Sequence, residues 1–168
     1  ILSPALLKDI PTEQPMVFFS SDNLVGRVKK FNNSINIYKK HLDSENIFIF
    51  GIKPISPSPE YGYFLSKKNS GALYKVYKFI EKPNKKKAKL IIKKKGYMNS
   101  GMFFLRKDSI IKNFKKYQNQ MYKNCKKSIE NSKVYKNVYY LDKKHFNKVR
   151  EISFDYAILE KAKKINAI

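Results

Sequence analysis

Short apolar runs alternate along the chain with stretches in which apolar residues recur every three or four positions. Residues 15–20 form the first apolar run, which ends at the polar pair Ser21-Asp22. Continuous apolar character of this length predicts a buried strand in a parallel sheet. Residues 46–52 form a second such run, and three prolines between positions 54 and 59 exclude a helix or a central strand after it.

Helical spacing appears in four places. Residues 25–38 and the lysine-rich segment 83–95 each place their apolar residues on one side of a predicted helix. Asp108 is a predicted N-cap for a third helix, and Ser153 for a last helix over residues 154–164. The expected buried faces carry Val28, Phe31, Ile35 and Tyr38 in the first helix, Ala88, Ile91 and Ile92 in the second, and Ile110, Ile111, Phe114, Tyr117 and Met121 in the third.

Three further segments have strand character. Residues 61–65 and 74–80 are predicted to be two strands joined by the polar turn 67–71, and residues 101–105 another. The lysines of 74–80 do not alternate cleanly, which indicates a half-exposed strand. Strands interleaved with amphipathic helices and short connections predict an α/β domain.

The charge of the chain is extreme, with 36 basic against 13 acidic residues and a formal net charge of +23. Such an excess is typical of proteins that bind nucleic acid or anionic surfaces. All but three of the basic residues are lysines, however, whereas arginine is favoured for bidentate phosphate and guanine recognition. The chain is also rich in Asn and Ile, and the codons of Lys, Asn and Ile are rich in A and T. A genome biased towards A and T is therefore the favoured explanation for the excess of lysine. A basic binding module for nucleic acid or anionic surfaces is the alternative.

Other composition features narrow the class. Cys125 is the single cysteine, so the chain has no internal disulfide and no paired-cysteine metal site. No apolar run approaches the ~20 residues of a membrane span. We therefore expect a cytoplasmic protein without membrane partners. His41 and His145 have polar surroundings and no partner motif, which favours solvated surface positions.

Polar residues follow or precede the predicted strands at several points, where open α/β sheets bind their ligands. Asp22 follows the first strand and has the chemistry of a Mg²⁺ ligand, although helix capping is the commoner role. Glu81-Lys82 ends another strand with adjacent charges that suit sugar hydroxyls and a phosphate, although turns of mixed charge are common. Asn99-Ser100-Gly101 offers an amide and a close backbone approach, or simply a tight turn. Asp155 lies near the start of the last helix, where its simplest role is capping.

A series of short motifs runs along the chain: Ser3-Pro4-Ala5, Ser21-Asp22-Asn23-Leu24-Val25, Phe50-Gly51-Ile52-Lys53-Pro54, Pro57, Tyr61-Gly62-Tyr63, Phe79-Ile80-Glu81-Lys82-Pro83, Gly96-Tyr97-Met98-Asn99-Ser100-Gly101-Met102-Phe103 and Ile152-Ser153-Phe154-Asp155-Tyr156-Ala157-Ile158-Leu159-Glu160-Lys161. In its wording and its order this series resembles the mannose-1-phosphate guanylyltransferase family. The resemblance covers nearly the whole chain. That family transfers GMP from GTP to mannose 1-phosphate and releases pyrophosphate.

The resemblance implies a fold and a set of roles. The fold is a three-layer Rossmann-like nucleotidyltransferase domain. Asp22 and Asp155 match the acidic positions that hold Mg²⁺. Glu81 and Asn99 match positions that bind the mannose hydroxyls, and Gly62 one that lets the backbone approach the sugar. Lys82 matches the lysine near the sugar phosphate, so Lys82 and Asp155 are the expected catalytic residues.

The departures from the family pattern set the remaining expectations. Glu60, Met98 and Asn23 replace a Gly, a Trp and a His of the family motifs. The Gly-rich segment that cradles the triphosphate, with its central strand, is not found in the 168 residues. We therefore expect residues 1–168 to be a partial catalytic domain, inactive alone, that either is completed by a separate N-terminal polypeptide or is a decayed remnant without catalysis. The exposed strand edge left by the missing strand also predicts self-association. The expected partners are GTP and mannose 1-phosphate, without nucleic acid.

Overall fold

The computed structural model describes residues 1–21, 23–69 and 73–168. Its strands are β1 (Pro15–Phe18), β2 (Ile47–Ile52), β3 (Tyr63–Lys68), β4 (Tyr74–Ile80), β5 (Tyr97–Arg106), β6 (Lys133–Tyr135), β7 (Val138–Tyr140) and β8 (Ile165–Ala167). Its α-helices are α1 (Leu2–Ala5), α2 (Val28–Lys39), α3 (Lys85–Lys93), α4 (Lys107–Tyr117), α5 (Asn119–Glu130) and α6 (Lys143–Phe146). A π-helix over Asp155–Leu159 follows. The predicted α/β class is confirmed.

Strand β5 is the centre of the main sheet because it pairs with three neighbours. Strands β1 and β3 lie along one of its edges and β2 along the other, all antiparallel to it. Strand β8 is parallel to β2 and antiparallel to β4, and β4 forms a hairpin with β3. The order β1-β5-β2-β8-β4-β3, with β3 also paired to β5, closes five strands into a circuit. The ends of β4, β3 and β5 are thereby adjacent.

The parallel pairing predicted for the first strand is wrong. Strand β1 is antiparallel to β5, with Pro15 opposite Arg106 and Phe18 opposite Phe103. Its apolar run has a different cause, since Val17 packs against one core cluster while Met16 and Phe18 pack against the cluster on the other face. A strand covered on both faces has the same pattern whichever way its neighbour runs.

Helices cover both faces of the sheet, which gives the predicted three layers. Phe48, Phe50 and Phe104 form the cluster beneath α2, where Phe31, Ile35 and Tyr38 contact it as predicted. Val28 differs from the prediction, because it is more than half exposed at the first turn. On the opposite face α1, α4, α5 and the π-helix pack over a larger cluster that includes Ile49, Phe103 and Leu105.

Helix α3 follows the prediction closely. Asn84 is its N-cap, and the side chain of Asn84 accepts a hydrogen bond from the Lys87 backbone N–H at 2.9 Å. Ala88 and Ile91 are buried against Tyr63 and Leu65 of β3. The hairpin of β3 and β4 is present and β4 is half exposed, as predicted, but β3 begins later and extends through Lys67 and Lys68, which were predicted to lie in the turn.

Two predicted helices differ in their bounds. Asp108 is not an N-cap: α4 begins at Lys107 with Arg106 as its cap, and Asp108 accepts a hydrogen bond from Arg106 Nε at 3.0 Å. The chain also breaks at Gln118, so Met121 belongs to α5. The last helix, predicted over 154–164, ends at Leu159 before the short strand β8.

The triplet Asn99-Ser100-Gly101 lies within β5 rather than before it. Ile49 pairs with Phe103 and Gly51 with Asn99, so β5 carries extra residues opposite β2 and forms a bulge there. Gly101 has a φ of 75°, a conformation that glycine adopts at low cost. The glycine that suggests a turn instead bends a continuous strand.

Within the described ranges, no helix combines the length and the apolar character that crossing a bilayer requires.

Candidate active site

Three of the predicted binding residues lie side by side where β4, β3 and β5 meet. The backbone N–H of Asn99 donates to the Gly62 carbonyl at 2.8 Å, which continues the β3–β5 ladder by one step. Gly62 also lies beside Glu81, since a Cβ added to Gly62 would be 2.4 Å from Glu81 Oε2 and 3.5 Å from Asn99 Cβ. The sheet register therefore brings a carboxylate, a bare backbone and an amide together.

Asp155 reaches this group from the π-helix. Asn99 Nδ2 donates to Asp155 Oδ1 at 2.7 Å, across 56 positions of sequence. The neighbouring Phe154 fixes the helix to the core, with its ring centroid 4.7 Å from that of Phe103 and 6.1 Å from that of Phe114. A π-helix is uncommon and recurs at functional sites. Here it directs Asp155 towards the sheet while the apolar side chains that follow are buried.

The carboxylates of Glu81, Asp155 and Glu160 repel one another, and Glu81 and Asp155 are partly buried. Burial, then the charge of Asp155 and that of Glu160, raise the pKa of Glu81 to about 7, although Lys82 opposes the shift. Burial also raises the pKa of Asp155 from its ordinary value, while its hydrogen bonds, including the one from Asn99, and the charge of Lys82 oppose the rise. Neighbouring carboxylates with shifted pKa values are typical of functional sites.

A stability measurement tests this electrostatic strain. The folded state raises the Glu81 pKa from 4.5 to about 7, so it binds the proton more tightly than the unfolded chain does. Stability is therefore lost as pH rises from about 4.5 to about 7. We expect Glu81→Gln to raise the free energy of unfolding at pH 8 by about 1 kcal/mol, a value reduced because water still reaches the carboxylate.

The control for this measurement is the same variant at pH 4, where wild-type Glu81 is protonated and the two proteins are expected to be equally stable in urea unfolding. An equal difference at both pH values would contradict the electrostatic origin. Glu60→Gln, at a predicted departure from the family pattern, supplies a matched exposed carboxylate and is expected to change nothing at either pH.

Lys82 extends from the end of β4 into solvent. Its backbone has a φ of 44°, which is unusual for a residue with a side chain. Its charge acts on both Glu81 and Asp155. The predicted catalytic lysine is thus electrostatically part of the group, and its approach to a phosphate stays a prediction.

Glu160 is a member of the group that the sequence analysis did not assign. It follows the π-helix, and its Oε1 accepts a hydrogen bond from the Glu81 backbone N–H at 3.4 Å. Its charge also raises the pKa of both Glu81 and Asp155. Glu160 does lie in the segment 152–161 that resembles the family, but no sequence pattern indicates its contact with Glu81, 79 positions away.

Asp22, the other predicted Mg²⁺ ligand, lies outside the described residues. Among the described residues, the candidate site included, no three His, Cys, Asp or Glu side chains gather closely enough to hold a metal ion by themselves. Mg²⁺ often takes only one or two protein carboxylates and fills its shell with water and substrate phosphates. The Asp155 carboxylate is a hard oxygen donor, and a cation beside it would relieve its repulsion with Glu81 and Glu160, so Asp155 fits Mg²⁺.

Comparison with known proteins identifies the family. The family model described as nucleotidyl transferase matches residues 4–146. This chain belongs to the nucleotidyl transferase family. The match includes Gly62, Glu81, Lys82 and Asn99, and it ends before the π-helix that carries Asp155.

Individual relatives sharpen the family assignment. The chain is 33% identical over 160 residues to a mannose-1-phosphate guanylyltransferase of Escherichia coli, which covers 91% of this chain and 34% of the relative. It is 27% identical over 165 residues to one of Salmonella montevideo, covering 94% of this chain and 35% of the relative. The chain thus spans about a third of the length of these relatives. The predicted resemblance to sugar-phosphate nucleotidyltransferases is confirmed.

Solved structures confirm the fold. A structure described as mannose-6-phosphate isomerase from Helicobacter pylori matches with a TM-score of 0.84 at 25% identity, over 99% of this chain and 65% of the other. One described as mannose-1-phosphate geranyltransferase from Thermus thermophilus matches with a TM-score of 0.78 at 20% identity, over 92% of this chain and 44% of the other. The layered α/β arrangement is therefore shared with both.

Proposed function

We propose that this chain forms the sugar-phosphate side of a mannose-1-phosphate guanylyltransferase. The observation that carries the proposal is the convergence of Gly62, Glu81, Asn99 and Asp155 from three strands and a π-helix. The overall reaction would join mannose 1-phosphate to the GMP portion of GTP and release pyrophosphate.

The polar groups suit a hydroxylated ring. Glu81, when ionised, accepts hydrogen bonds from hydroxyls, and the Asn99 amide both donates and accepts. Gly62 has no Cβ, and Glu81 Oε2 lies 2.4 Å from the position a Cβ would take, so the glycine makes room for the carboxylate that would accept from a sugar hydroxyl. The Asn99 side chain is held by Asp155, which fixes its orientation before the sugar arrives.

The charged groups suit a phosphate and its counterion. Lys82 would neutralise part of the phosphate charge from its exposed position at the end of β4. Asp155, with Asp22 as its expected partner, would hold Mg²⁺, which supplies charge neutralisation for the phosphoryl groups when bound. The chemistry of nucleotidyl transfer needs little from the protein beyond such positioning and charge balance.

Binding of mannose 1-phosphate tests the proposal. We expect calorimetric titration of this chain to detect binding that strengthens with Mg²⁺. We expect Gly62→Ala to weaken it by at least about tenfold, because the added methyl group displaces the Glu81 carboxylate and crowds the Phe79 ring, 3.1 Å away.

The matched control is Gly26→Ala, because a Cβ added to Gly26 meets nothing within 4 Å. This control is expected to bind like the wild type. Inorganic phosphate, titrated in place of the sugar phosphate, separates recognition of the sugar from simple attraction to a basic surface. Equal binding of both ligands, or binding untouched by Gly62→Ala, would contradict the proposal.

A further inference from the structure

The junction between β4 and α3 carries Glu81 and Lys82, and its two ends are fixed by the β3–β4 ladder and by the cap of α3. The β3–β4 ladder ends with Tyr63 opposite Ile80, so Glu81 is the first residue beyond it. On the far side Asn84 caps α3, whose apolar face is buried against β3. The two site residues between these supports depend on other contacts for their position.

The backbone of this junction is strained. Lys82 adopts a φ of 44°, where a side chain is unfavourable. A residue in such a conformation keeps it only when the surrounding structure holds it there. Pro83, which is buried, limits the backbone on the carboxyl side. The amino side therefore needs a constraint of its own.

Glu160 supplies that constraint from a distant part of the chain. Its Oε1 accepts the Glu81 N–H at 3.4 Å, although 79 positions separate the two residues. The turn of the π-helix joins Glu160 to Asp155, since the N–H of Glu160, the C-cap, donates to the carbonyl of Asp155, the first residue, at 3.1 Å. One short helix thus supports Asn99 through Asp155 and Glu81 through Glu160.

We infer that Glu160 is a positioning residue of the sugar-phosphate site, which acts by fixing the backbone of Glu81 and thereby the directions of the Glu81 and Lys82 side chains. This inference rests on the proposed function for its consequence in binding, but the anchor itself is a property of the fold. Because Glu160 is exposed, its truncation leaves no cavity and is expected to leave the fold intact.

Two variants of Glu160 separate anchoring from charge. Glu160→Ala removes the acceptor, whereas Glu160→Gln keeps an acceptor oxygen and removes the charge. In hydrogen exchange followed by NMR, we expect the Glu81 amide to exchange about five- to tenfold faster in Glu160→Ala and within about threefold of wild type in Glu160→Gln. Glu151→Ala, an exposed acid outside this contact, is the matched control.

Calorimetric titration with mannose 1-phosphate then tests the consequence. Positioning predicts that binding weakens by about five- to tenfold in Glu160→Ala and is largely retained in Glu160→Gln. If Glu160 acted only through its charge, both variants would bind the anionic sugar phosphate more tightly, which would overturn the inference.

The two readouts keep the inference distinct from the proposed function. Unchanged exchange of the Glu81 amide in Glu160→Ala overturns the anchor whatever the ligand does. Faster exchange with unchanged sugar-phosphate binding overturns its role in the site while the proposed function stands. No binding by the wild-type chain overturns the proposed function and the role together, although the exchange experiment still decides whether the anchor exists.

Discussion

Asp155→Asn is expected to weaken Mg²⁺-dependent binding of mannose 1-phosphate by about a hundredfold, because loss of one desolvated charge partner costs several kcal/mol. The substitution is nearly isosteric, and the new amide oxygen still accepts from Asn99 Nδ2. The loss therefore reports on the charge of Asp155 rather than on the position of Asn99. Calorimetric titrations with and without Mg²⁺ measure it.

The same variant has an opposite effect on stability. Burial raises the pKa of Asp155 in the folded state, so its ionisation costs folding free energy as pH rises above the ordinary carboxyl range. Asp155→Asn is expected to be at least as stable as wild type at pH 7.

Normal binding of Mg²⁺ and mannose 1-phosphate by Asp155→Asn would refute the assignment of Asp155 as the charged ligand. Glu151→Gln, which removes an exposed acid elsewhere, is the control for the change in net charge.

Phe154→Ala is expected to lower the free energy of unfolding by about 3–5 kcal/mol, the usual cost of emptying a buried aromatic position. Its ring is 8% exposed and contacts Phe103 of β5 and Phe114 of α4, so it joins the π-helix to the sheet and to a helix. Natural domains have only about 5–15 kcal/mol of stability, so the variant should unfold at much lower urea concentration.

Phe154→Leu and Tyr156→Ala complete this second test. Leucine refills most of the volume and is expected to recover a large part of the loss. Tyr156, two positions along, is 40% exposed and is expected to change stability by less than about 0.5 kcal/mol when truncated. A small effect of Phe154→Ala would mean that the π-helix is held by other contacts.

Local patterns were sufficient to predict most elements. The run at 46–52 predicted β2, the two half-apolar segments predicted the β3–β4 hairpin, and Pro83-Asn84 predicted the start of α3. Each of these depends on interactions between residues close in sequence: apolar continuity, turn chemistry and a side-chain cap. The direction of β1 was wrong because strand burial is visible locally whereas the partner strand is not.

The site residues were assigned on different grounds from the helices and strands. Taken one at a time, Glu81, Asn99 and Asp155 are most simply interpreted as residues of ordinary turns and helix caps. Only the order of the motifs along the chain indicated a shared function. Glu160 was missed because a hydrogen bond to a backbone N–H 79 positions away has no sequence pattern. The π-helix was missed as well, since a helix of five residues shows too little periodicity to distinguish its type.

The sequence alone determined the alternation of strands and helices and the family resemblance. It also selected the candidate site residues from among 13 acidic and 36 basic residues. Only the tertiary structure decided that Gly62, Glu81 and Asn99 are neighbours and that Asp155 binds the Asn99 amide. The physical reason is the distance along the sequence over which each kind of interaction acts. Local preferences act over a few residues, whereas the site depends on sheet register and on a helix anchored by Phe154, which distant packing sets.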